Sequence, residues 1–166
     1  MARVLITGMS GAGKTTLLRA LAGRGYRTVD TDYDGWTTAD GRWDEPRMAA
    51  LLAGRGPLAV SGTVENQGRF YHRFDQVVLL SAPIDVLLDR VRDRTDNPYG
   101  GTAGQRAEIR RYTREVEPLL RRGATVELDG TRPVEALADE VAALLDGVRA
   151  QLRRARPPAG EPGTGS

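Results

Sequence analysis

A glycine-rich segment near the start of the sequence combines the residue types that bind phosphate groups. Four residues separate Gly8 from the run Gly13, Lys14 and Thr15, which gives the spacing G-x-x-x-x-G-K-[ST]. Glycines let the backbone curve closely, so several N–H groups point at one anion. A lysine there can contact the outer phosphates of a nucleotide, and a threonine hydroxyl can bind Mg²⁺. The segment therefore predicts a site for a nucleoside triphosphate, ATP in our interpretation.

The spacing is that of a P-loop, and the flanking sequence agrees with it. An apolar run precedes the segment as a predicted buried strand, and an amphipathic helix is predicted after it. Lys14 is the only lysine among the 24 basic residues, so a lysine is kept here where arginine serves elsewhere. We assign the segment to nucleotide binding, with Lys14 also catalytic and Thr15 also a metal ligand; its members are Gly8, Ser10, Gly11, Ala12, Gly13, Lys14, Thr15 and Thr16. The alternative is a glycine-rich turn that binds nothing.

Acidic residues follow the second predicted strand. Asp30 and Asp32 alternate, so on an extended chain their side chains point to the same side. Beside a P-loop, one carboxylate can hold the Mg²⁺ shell while the other orients or deprotonates a substrate hydroxyl. We assign Asp30 to the metal, Asp32 to catalysis and to the substrate, and Asp34 to the substrate. The alternative is a set of solvated or helix-capping acids.

Polar and aromatic residues near the next strand end are further candidates for substrate contacts. No Asp ends the third strand, which makes Asp30 the better metal candidate. The candidates after this strand are Gly62, which allows a close backbone approach to the substrate, and then Thr63, Glu65, Asn66 and Gln67. We assign the first three of these to the substrate. Trp36 is also assigned to the substrate, because it and Trp43 follow the acids and can stack on a ring. The alternatives are a capping turn for the polar residues and packing for the tryptophans.

Arginines are concentrated in the second half of the chain. Arg106, Arg110 and Arg114 share one face of a predicted helix. Arginine suits the charge that develops on a transferred phosphoryl group, so Arg106 and Arg110 are assigned to catalysis. The glycine-bearing loop before this helix, within a lid at about residues 94–105, is predicted to cover the phosphates. The alternative is a solvated charged face that pairs with nearby glutamates.

Five apolar runs alternate with predicted helices, which indicates an α/β domain of three layers around a parallel sheet. The predicted strands are residues 3–7, 26–30, 58–61, 76–81 and 124–128, and the predicted helices are residues 14–22, 45–53, 69–73, 83–92, 104–122 and 133–152. In such sheets ligands bind at the carboxyl ends of the strands, where the candidate residues lie. We expect one domain over residues 1–150 and a disordered Pro- and Gly-rich tail over residues 151–166.

The composition excludes several classes of site. There is no cysteine, which excludes disulfides and zinc–thiolate sites, and a single histidine excludes a multi-histidine metal site. The net charge of +2 favours neither a nucleic acid nor a membrane partner. Because no leader and no membrane span is predicted, we expect a cytoplasmic monomer or homodimer whose partner is a small-molecule acceptor.

Over residues 3–145 the chain resembles the P-loop small-molecule kinases related to shikimate kinase, gluconate kinase and the nucleoside monophosphate kinases. The P-loop and the segment Val29-Asp30-Thr31-Asp32 carry this resemblance, because the latter is similar to the D-x-D segment of shikimate kinase. It implies the sheet order 2-3-1-4-5 and a lid between strand four and the next helix. It also implies that Asp30 serves the magnesium shell and that Asp32 serves the acceptor hydroxyl.

The resemblance implies further contacts. Arg47 lies where the family has an arginine that binds the acceptor, and Arg94 resembles the arginine that stacks on adenine. Pro133, with Arg132 before it, resembles the proline on the other side of the adenine. The chain also looks like a divergent branch of the kind described as AAA-family ATPases.

The departures from shikimate kinase concern the acceptor. Ser61-Gly62-Thr63 stands where shikimate kinase has three glycines, and Val116 stands near a position where an acceptor-binding arginine is expected. We therefore expect an ATP- and Mg²⁺-dependent kinase that phosphorylates a hydroxyl of a small molecule other than shikimate. A nucleoside monophosphate kinase is one alternative, for which Arg42, Arg47 and Arg69 would have to bind the acceptor phosphate. A nucleotide-dependent ATPase or switch that acts on a protein is the other.

Overall fold

A parallel sheet is the central element of the computed structural model, which describes residues 2–93 and 102–147. Within these ranges the sheet has five strands in the order β2-β3-β1-β4-β5, which confirms the expected order. The strands are β1 Arg3–Thr7, β2 Arg27–Asp30, β3 Leu58–Ser61, β4 Gln76–Ser81 and β5 Val126–Asp129. Their register aligns Asp30 with Ser61 and Ser81 with Asp129. The candidate residues after the strands therefore meet along one edge of the sheet.

Helices cover both faces of the sheet, so the predicted three layers are confirmed. In the described ranges the helices are α1 Lys14–Gly23, α2 Glu45–Leu52, α3 Ile84–Arg92, α4 Ala103–Glu115, α5 Glu117–Gly123 and α6 Val134–Asp146, with a 3-10 helix at Gln67–Arg73. On β1, Val4 and Ile6 pack in the core cluster that contains residues of α1 and α6. Leu5 points to the opposite face and packs against α2. This alternation explains why β1 is apolar throughout.

One predicted helix is divided into two. The expected single helix over residues 104–122 is wrong, because α4 ends at Glu115 and α5 begins at Glu117. Pro118 lies in the first turn of α5, where its missing N–H costs no helical hydrogen bond. Inside a continuous helix the same proline would remove one bond and clash with the preceding turn.

The last helix is shorter than predicted. α6 ends at Asp146 instead of residue 152, because Gly147 has a φ of 69° and donates its N–H to the carbonyl of Leu144. Arg94, residues 94–101 of the predicted lid and the predicted disordered tail lie outside the described residues. In the part of the chain that is described, no helix is long and apolar enough to cross a membrane.

Candidate functional site

The glycine-rich segment forms a tight loop between β1 and α1. Gly8, Gly11 and Gly13 have φ values of 154°, 86° and 104°, which other residues rarely adopt. Gly11 is also held close to α3, since a Cβ there would lie 2.7 Å from the carbonyl oxygen of Leu87. The loop therefore needs glycine for its curvature and for its contact with α3. It leads directly into α1, whose N-terminus adds the positive end of the helix dipole.

Lys14 and Thr63 both contact the start of this loop. Lys14 Nζ donates to the carbonyl oxygen of Gly8 at 2.5 Å and to that of Met9 at 3.2 Å. The Thr63 hydroxyl donates to the Gly8 carbonyl at 2.6 Å and accepts the Gly8 N–H at 3.2 Å. Thr63 comes from the loop after β3, so it connects that loop to the phosphate-binding segment.

Asp30 and Thr15 are brought together from different elements. The Thr15 hydroxyl at the start of α1 donates to Asp30 Oδ2 at 2.9 Å, and Asp30 Oδ1 accepts the N–H of Asp32 at 3.1 Å. This places two hard oxygen donors side by side, which is the donor chemistry of Mg²⁺. Over residues 2–93 and 102–147, no cluster of three or more histidine or acidic side chains could hold a metal ion.

A cavity of about 770 Å³ lies on one side of the loop. Its walls come from the glycine-rich loop, the segment after β2, the loop and the 3-10 helix after β3, and residues of α4 and α5 with the residue between them. The residues that line it are Gly8, Met9, Ser10, Lys14, Asp32, Gly41, Thr63, Val64, Glu65, Gln67, Gly68, Tyr71, Tyr112, Val116, Leu119 and Leu120. The cavity thus brings together Lys14, Asp32, Thr63 and Glu65 from the predicted site, and it is large enough for a small molecule.

Three predicted substrate residues form a separate cluster. The guanidinium carbon of Arg47 lies 3.9 Å from the centre of the Trp36 ring. Arg47 Nη1 also donates to the carbonyl oxygens of Asp34 at 2.7 Å and Gly35 at 2.8 Å. None of these residues is among those that line the large cavity. The geometry gives Arg47 a local task, which is to hold the loop after β2 against the start of α2.

Two residues after β3, Gly62 and Asn66, lie against the buried side chain or backbone of Trp43. Trp43 is only 1% exposed, and its ring N–H donates to the Thr31 hydroxyl at 2.9 Å. Asn66 accepts the Trp43 N–H at 3.0 Å and donates to the Trp43 carbonyl at 3.1 Å. Gly62 is buried beside them, and a Cβ there would overlap the Thr31 hydroxyl and lie 3.3 Å from the Trp43 ring. For Trp43 the packing alternative is therefore the correct one.

A smaller cavity of about 270 Å³ lies on the other side of the loop. It is lined by Ala12, Gly13, Thr16, Arg90, Gly130, Arg132, Val134 and Leu137. Arg132 is one of the residues assigned to the nucleotide, and it forms an ion pair with Glu140 at 3.4 Å. Pro133 precedes α6 and does not line this cavity.

Arg90 is a residue of this site that the sequence interpretation missed. From α3 it donates to the carbonyl oxygens of Gly11 at 3.2 Å and Ala12 at 3.1 Å, and to that of Gly130 at 2.7 Å. It thereby joins the glycine-rich loop to the loop after β5. The only signal in the sequence was its place at the start of the arginine-rich segment, and no spacing rule connects it to a loop 78 residues earlier.

The two arginines that were assigned to catalysis from the sequence lie on α4. Arg106 is half-buried and Arg110 is exposed, and neither lines the large or the small cavity. Tyr112, on the same helix, lines the large cavity. The guanidinium carbon of Arg111 lies 5.3 Å from the centre of the Tyr112 ring. The catalytic roles of Arg106 and Arg110 stay predictions.

A charged network lies at the ends of β4 and β5, around a third cavity of about 560 Å³. Arg121 donates to Glu127 at 2.7 Å and to Glu117 at 3.1 Å. Its hydrogen bond holds the pKa of the Glu127 carboxyl below its ordinary value. The Thr131 hydroxyl likewise lowers the pKa of Asp129. No residue that was assigned to the site from the sequence lines this cavity. Arg121, which does line it, is paired with Glu117 and Glu127.

The parallel sheet of order 2-3-1-4-5 with a glycine-rich loop between β1 and α1 defines a P-loop nucleotide-binding protein of the three-layer class. Residues 4–111 match the family described as AAA domain. The chain is 32% identical over 161 residues to shikimate kinase from Nitrobacter winogradskyi, which covers 84% of this chain and 75% of that protein. The chain therefore belongs to the AAA domain family and is a homologue of shikimate kinase.

Solved structures share this fold at lower sequence identity. Shikimate kinase from Acinetobacter baumannii, solved in complex with shikimate, superposes with a TM-score of 0.68 at 19% identity over 90% of this chain and 95% of that chain. A gluconokinase from Sinorhizobium meliloti gives 0.58 at 22% identity over 93% and 97%. These similarities confirm the expected P-loop kinase fold.

Proposed function

We propose that the protein is an ATP- and Mg²⁺-dependent kinase that transfers the γ-phosphoryl group to a hydroxyl of a small molecule. The observation that supports this most directly is that Lys14 and Asp32 line the same cavity, immediately beside the glycine-rich loop. Phosphoryl transfer to an alcohol requires a cation that contacts the phosphates and a base that faces the hydroxyl, and both groups are present in this cavity. The homologous shikimate kinase supports the same reaction class.

In the proposed reaction, each residue of the site has its own task. The amides of the glycine-rich loop bind the phosphates, and Lys14 neutralises their charge. Thr15 and Asp30 would hold Mg²⁺, which supplies positive charge to the phosphates when it is bound. Asp32 orients the acceptor hydroxyl and accepts its proton. Arg132 contacts the nucleotide from the smaller cavity, whose walls Arg90 holds in place.

The geometry favours a hydroxyl acceptor over a nucleoside monophosphate. Arg42 pairs with Glu65 at 3.2 Å, Arg69 pairs with Glu45 at 3.1 Å, and Arg47 lies over Trp36. None of the three is among the residues that line the large cavity. A monophosphate acceptor would need such a cation within reach of its phosphate.

Turnover of ATP with Mg²⁺ should be measured alone, with pooled hydroxyl compounds and with nucleoside monophosphates. We expect turnover and a phosphorylated product, identified by mass spectrometry, only with a hydroxyl compound. Lys14→Ala is the matched control and should lose at least about 100-fold in rate, as expected when a charge-stabilising group is removed. Turnover that requires a monophosphate, or hydrolysis that responds to no acceptor, would contradict the proposal.

A further inference from the structure

A buried serine at the end of β3 has a hydroxyl without a partner. Ser61 is only 1% exposed, and none of the residues that the structure describes hydrogen-bonds its hydroxyl oxygen. Its backbone carbonyl, in contrast, accepts from the N–H of Thr31 at 2.9 Å and from the Thr31 hydroxyl at 2.8 Å. A buried hydroxyl without a hydrogen bond costs folding free energy, and a bound water molecule or ion can remove this cost. The Ser61 hydroxyl is therefore a candidate contact for a ligand.

The register of the sheet places this hydroxyl beside Asp30. Ser61 aligns with Asp30 on β2 and with Ile6 on β1, and residues in register on parallel strands point to the same face. Ile6 packs in the core cluster that contains residues of α1, and Asp30 accepts from the Thr15 hydroxyl at 2.9 Å. Because neighbouring strands lie about 4.8 Å apart, one water molecule can bridge the side chains of Ser61 and Asp30.

The neighbours of Ser61 along β3 support this direction. Ala59 packs in the core cluster that contains residues of α1, whereas Val60 packs in the cluster that contains Trp43. A Cβ on Gly62 would point toward the Trp43 ring as well. Since side chains alternate along a strand, Ser61 points to the α1 side, where Thr15 and Asp30 meet.

We infer that Ser61 belongs to the Mg²⁺ site, where its hydroxyl hydrogen-bonds a water molecule that is bound to the ion. Thr15 and Asp30 offer the oxygen donors for Mg²⁺, an ion that keeps several of its waters in proteins. A hydroxyl oxygen accepts hydrogen bonds from such waters, and groups that hold the outer shell of a metal increase its affinity. Ser61 is thus a positioning residue. The inference rests on the proposed function and adds a residue to its metal site.

Nucleotide binding with and without Mg²⁺ tests the inference. The dissociation constant of the full chain for a non-hydrolysable ATP analogue is measured by calorimetry in excess Mg²⁺ and again in EDTA. The ratio of the two constants reports how strongly the ion supports nucleotide binding. Ser61→Ala should reduce this ratio by about tenfold, as expected when an outer-shell partner of a metal is lost. The dissociation constant in EDTA should stay close to that of the parent.

Two further variants isolate the hydroxyl. In Ser61→Cys the thiol fills the space of the hydroxyl, so no water can replace it, and sulfur accepts hydrogen bonds only weakly. This variant should reduce the ratio as Ser61→Ala does. Ser81→Ala is the matched control, because it removes a serine hydroxyl at the end of β4 that donates to Glu127 at 2.9 Å. It should leave the ratio unchanged, and an equal reduction in Ser81→Ala would overturn the inference.

Thermal melting without ligands separates a metal contact from a structural one. Because the Ser61 hydroxyl has no partner among the described residues, both Ser61 variants should melt at the parent Tm or above it. The parent ratio in both variants, with or without a lower Tm, would overturn the inference and leave the kinase proposal intact. If the analogue does not bind the parent, or binds it equally in Mg²⁺ and in EDTA, the proposed function fails and the inference fails with it.

Discussion

At the scale of single residues, the acids after β2 have different environments. Asp30 is fixed between the Thr15 hydroxyl and the Asp32 N–H, whereas the exposed Asp32 lines the large cavity. Asp34 has a φ of 62° and does not line that cavity, and its carbonyl accepts from Arg47. Three carboxylates within five residues therefore have three different neighbourhoods.

Asp32→Asn should lower the rate of phosphoryl transfer by about 100-fold or more, because the amide cannot accept the hydroxyl proton. The affinity for ATP should stay within about tenfold, since Asp32 is assigned to the acceptor. Both quantities can be measured by coupled-assay kinetics and by calorimetry.

Asp34→Asn is the matched control for that variant. Asparagine tolerates a positive φ, so the loop should keep its conformation. We expect Asp34→Asn to transfer phosphate at close to the parent rate. Transfer at the parent rate by Asp32→Asn as well would show that the assigned role is wrong.

At the scale of elements, the loop after β3 is held by contacts that no local pattern displays. Thr31 donates to the Ser61 carbonyl at 2.8 Å and accepts from Trp43, and Gly62 leaves room for both. The next residue, Thr63, contacts the glycine-rich loop. The position of this loop thus depends on the packing of Trp43 against Thr31, Gly62 and Asn66.

Gly62→Ala should lower the free energy of unfolding by about 1–3 kcal/mol, because the added methyl group overlaps the Thr31 hydroxyl. Gly104→Ala is the control, since among the described residues no atom outside its own helical backbone lies within 4 Å of its Cβ position in α4. That change should be neutral or stabilising by up to about 1 kcal/mol, because alanine favours a helix. Urea denaturation measures both, and equal stability of the two variants would contradict the packing argument.

The network between α5 and β5 should make stability depend on pH. The folded-state pKa of Glu127 is lowered by Arg121, so the ionised carboxyl stabilises the fold above its ordinary pKa. This contribution is lost as the pH falls through the lowered value. Because both side chains are more than one-third exposed, the pair contributes no more than about 1 kcal/mol.

Arg121→Gln should therefore destabilise the protein at pH 7 by about 0.5–1 kcal/mol, with the difference from the parent shrinking between about pH 5 and pH 3. Thermal melting across this range measures it. Arg122→Gln, at the exposed neighbouring position, should change stability little at either pH. A destabilisation by Arg121→Gln that grows as the pH falls would contradict the assignment.

At the scale of the whole molecule, the glycine-rich loop separates two cavities that distant segments complete. Thr63 contacts it from 55 residues away and Arg90 from 78 residues away. The larger cavity is proposed for the acceptor and the smaller one for the nucleotide. Because ligands in these positions would contact several elements at once, binding should stabilise the entire domain.

A non-hydrolysable ATP analogue with Mg²⁺ at about 100 times its dissociation constant should add about 2.7 kcal/mol to the stability. For a domain of this size that corresponds to a rise in Tm of about 5–10 °C. Omission of Mg²⁺ should reduce the rise, and Lys14→Ala should reduce it further at the same concentration. An equal rise in the parent and in Lys14→Ala would show that the stabilisation does not depend on the predicted phosphate contact.

The sequence by itself determined the glycine-rich loop and the alternation of strands and helices, because these depend on local spacing and backbone preference. The break before Pro118 was not predicted, because the helical pattern continues on either side of it. Only the tertiary structure decided that Trp43 is buried, that Arg47 lies over Trp36 and that Arg90 joins two loops. It also decided that Tyr112, Leu119 and Leu120 line the same cavity as Lys14, because long-range packing determines which side chains share a cavity.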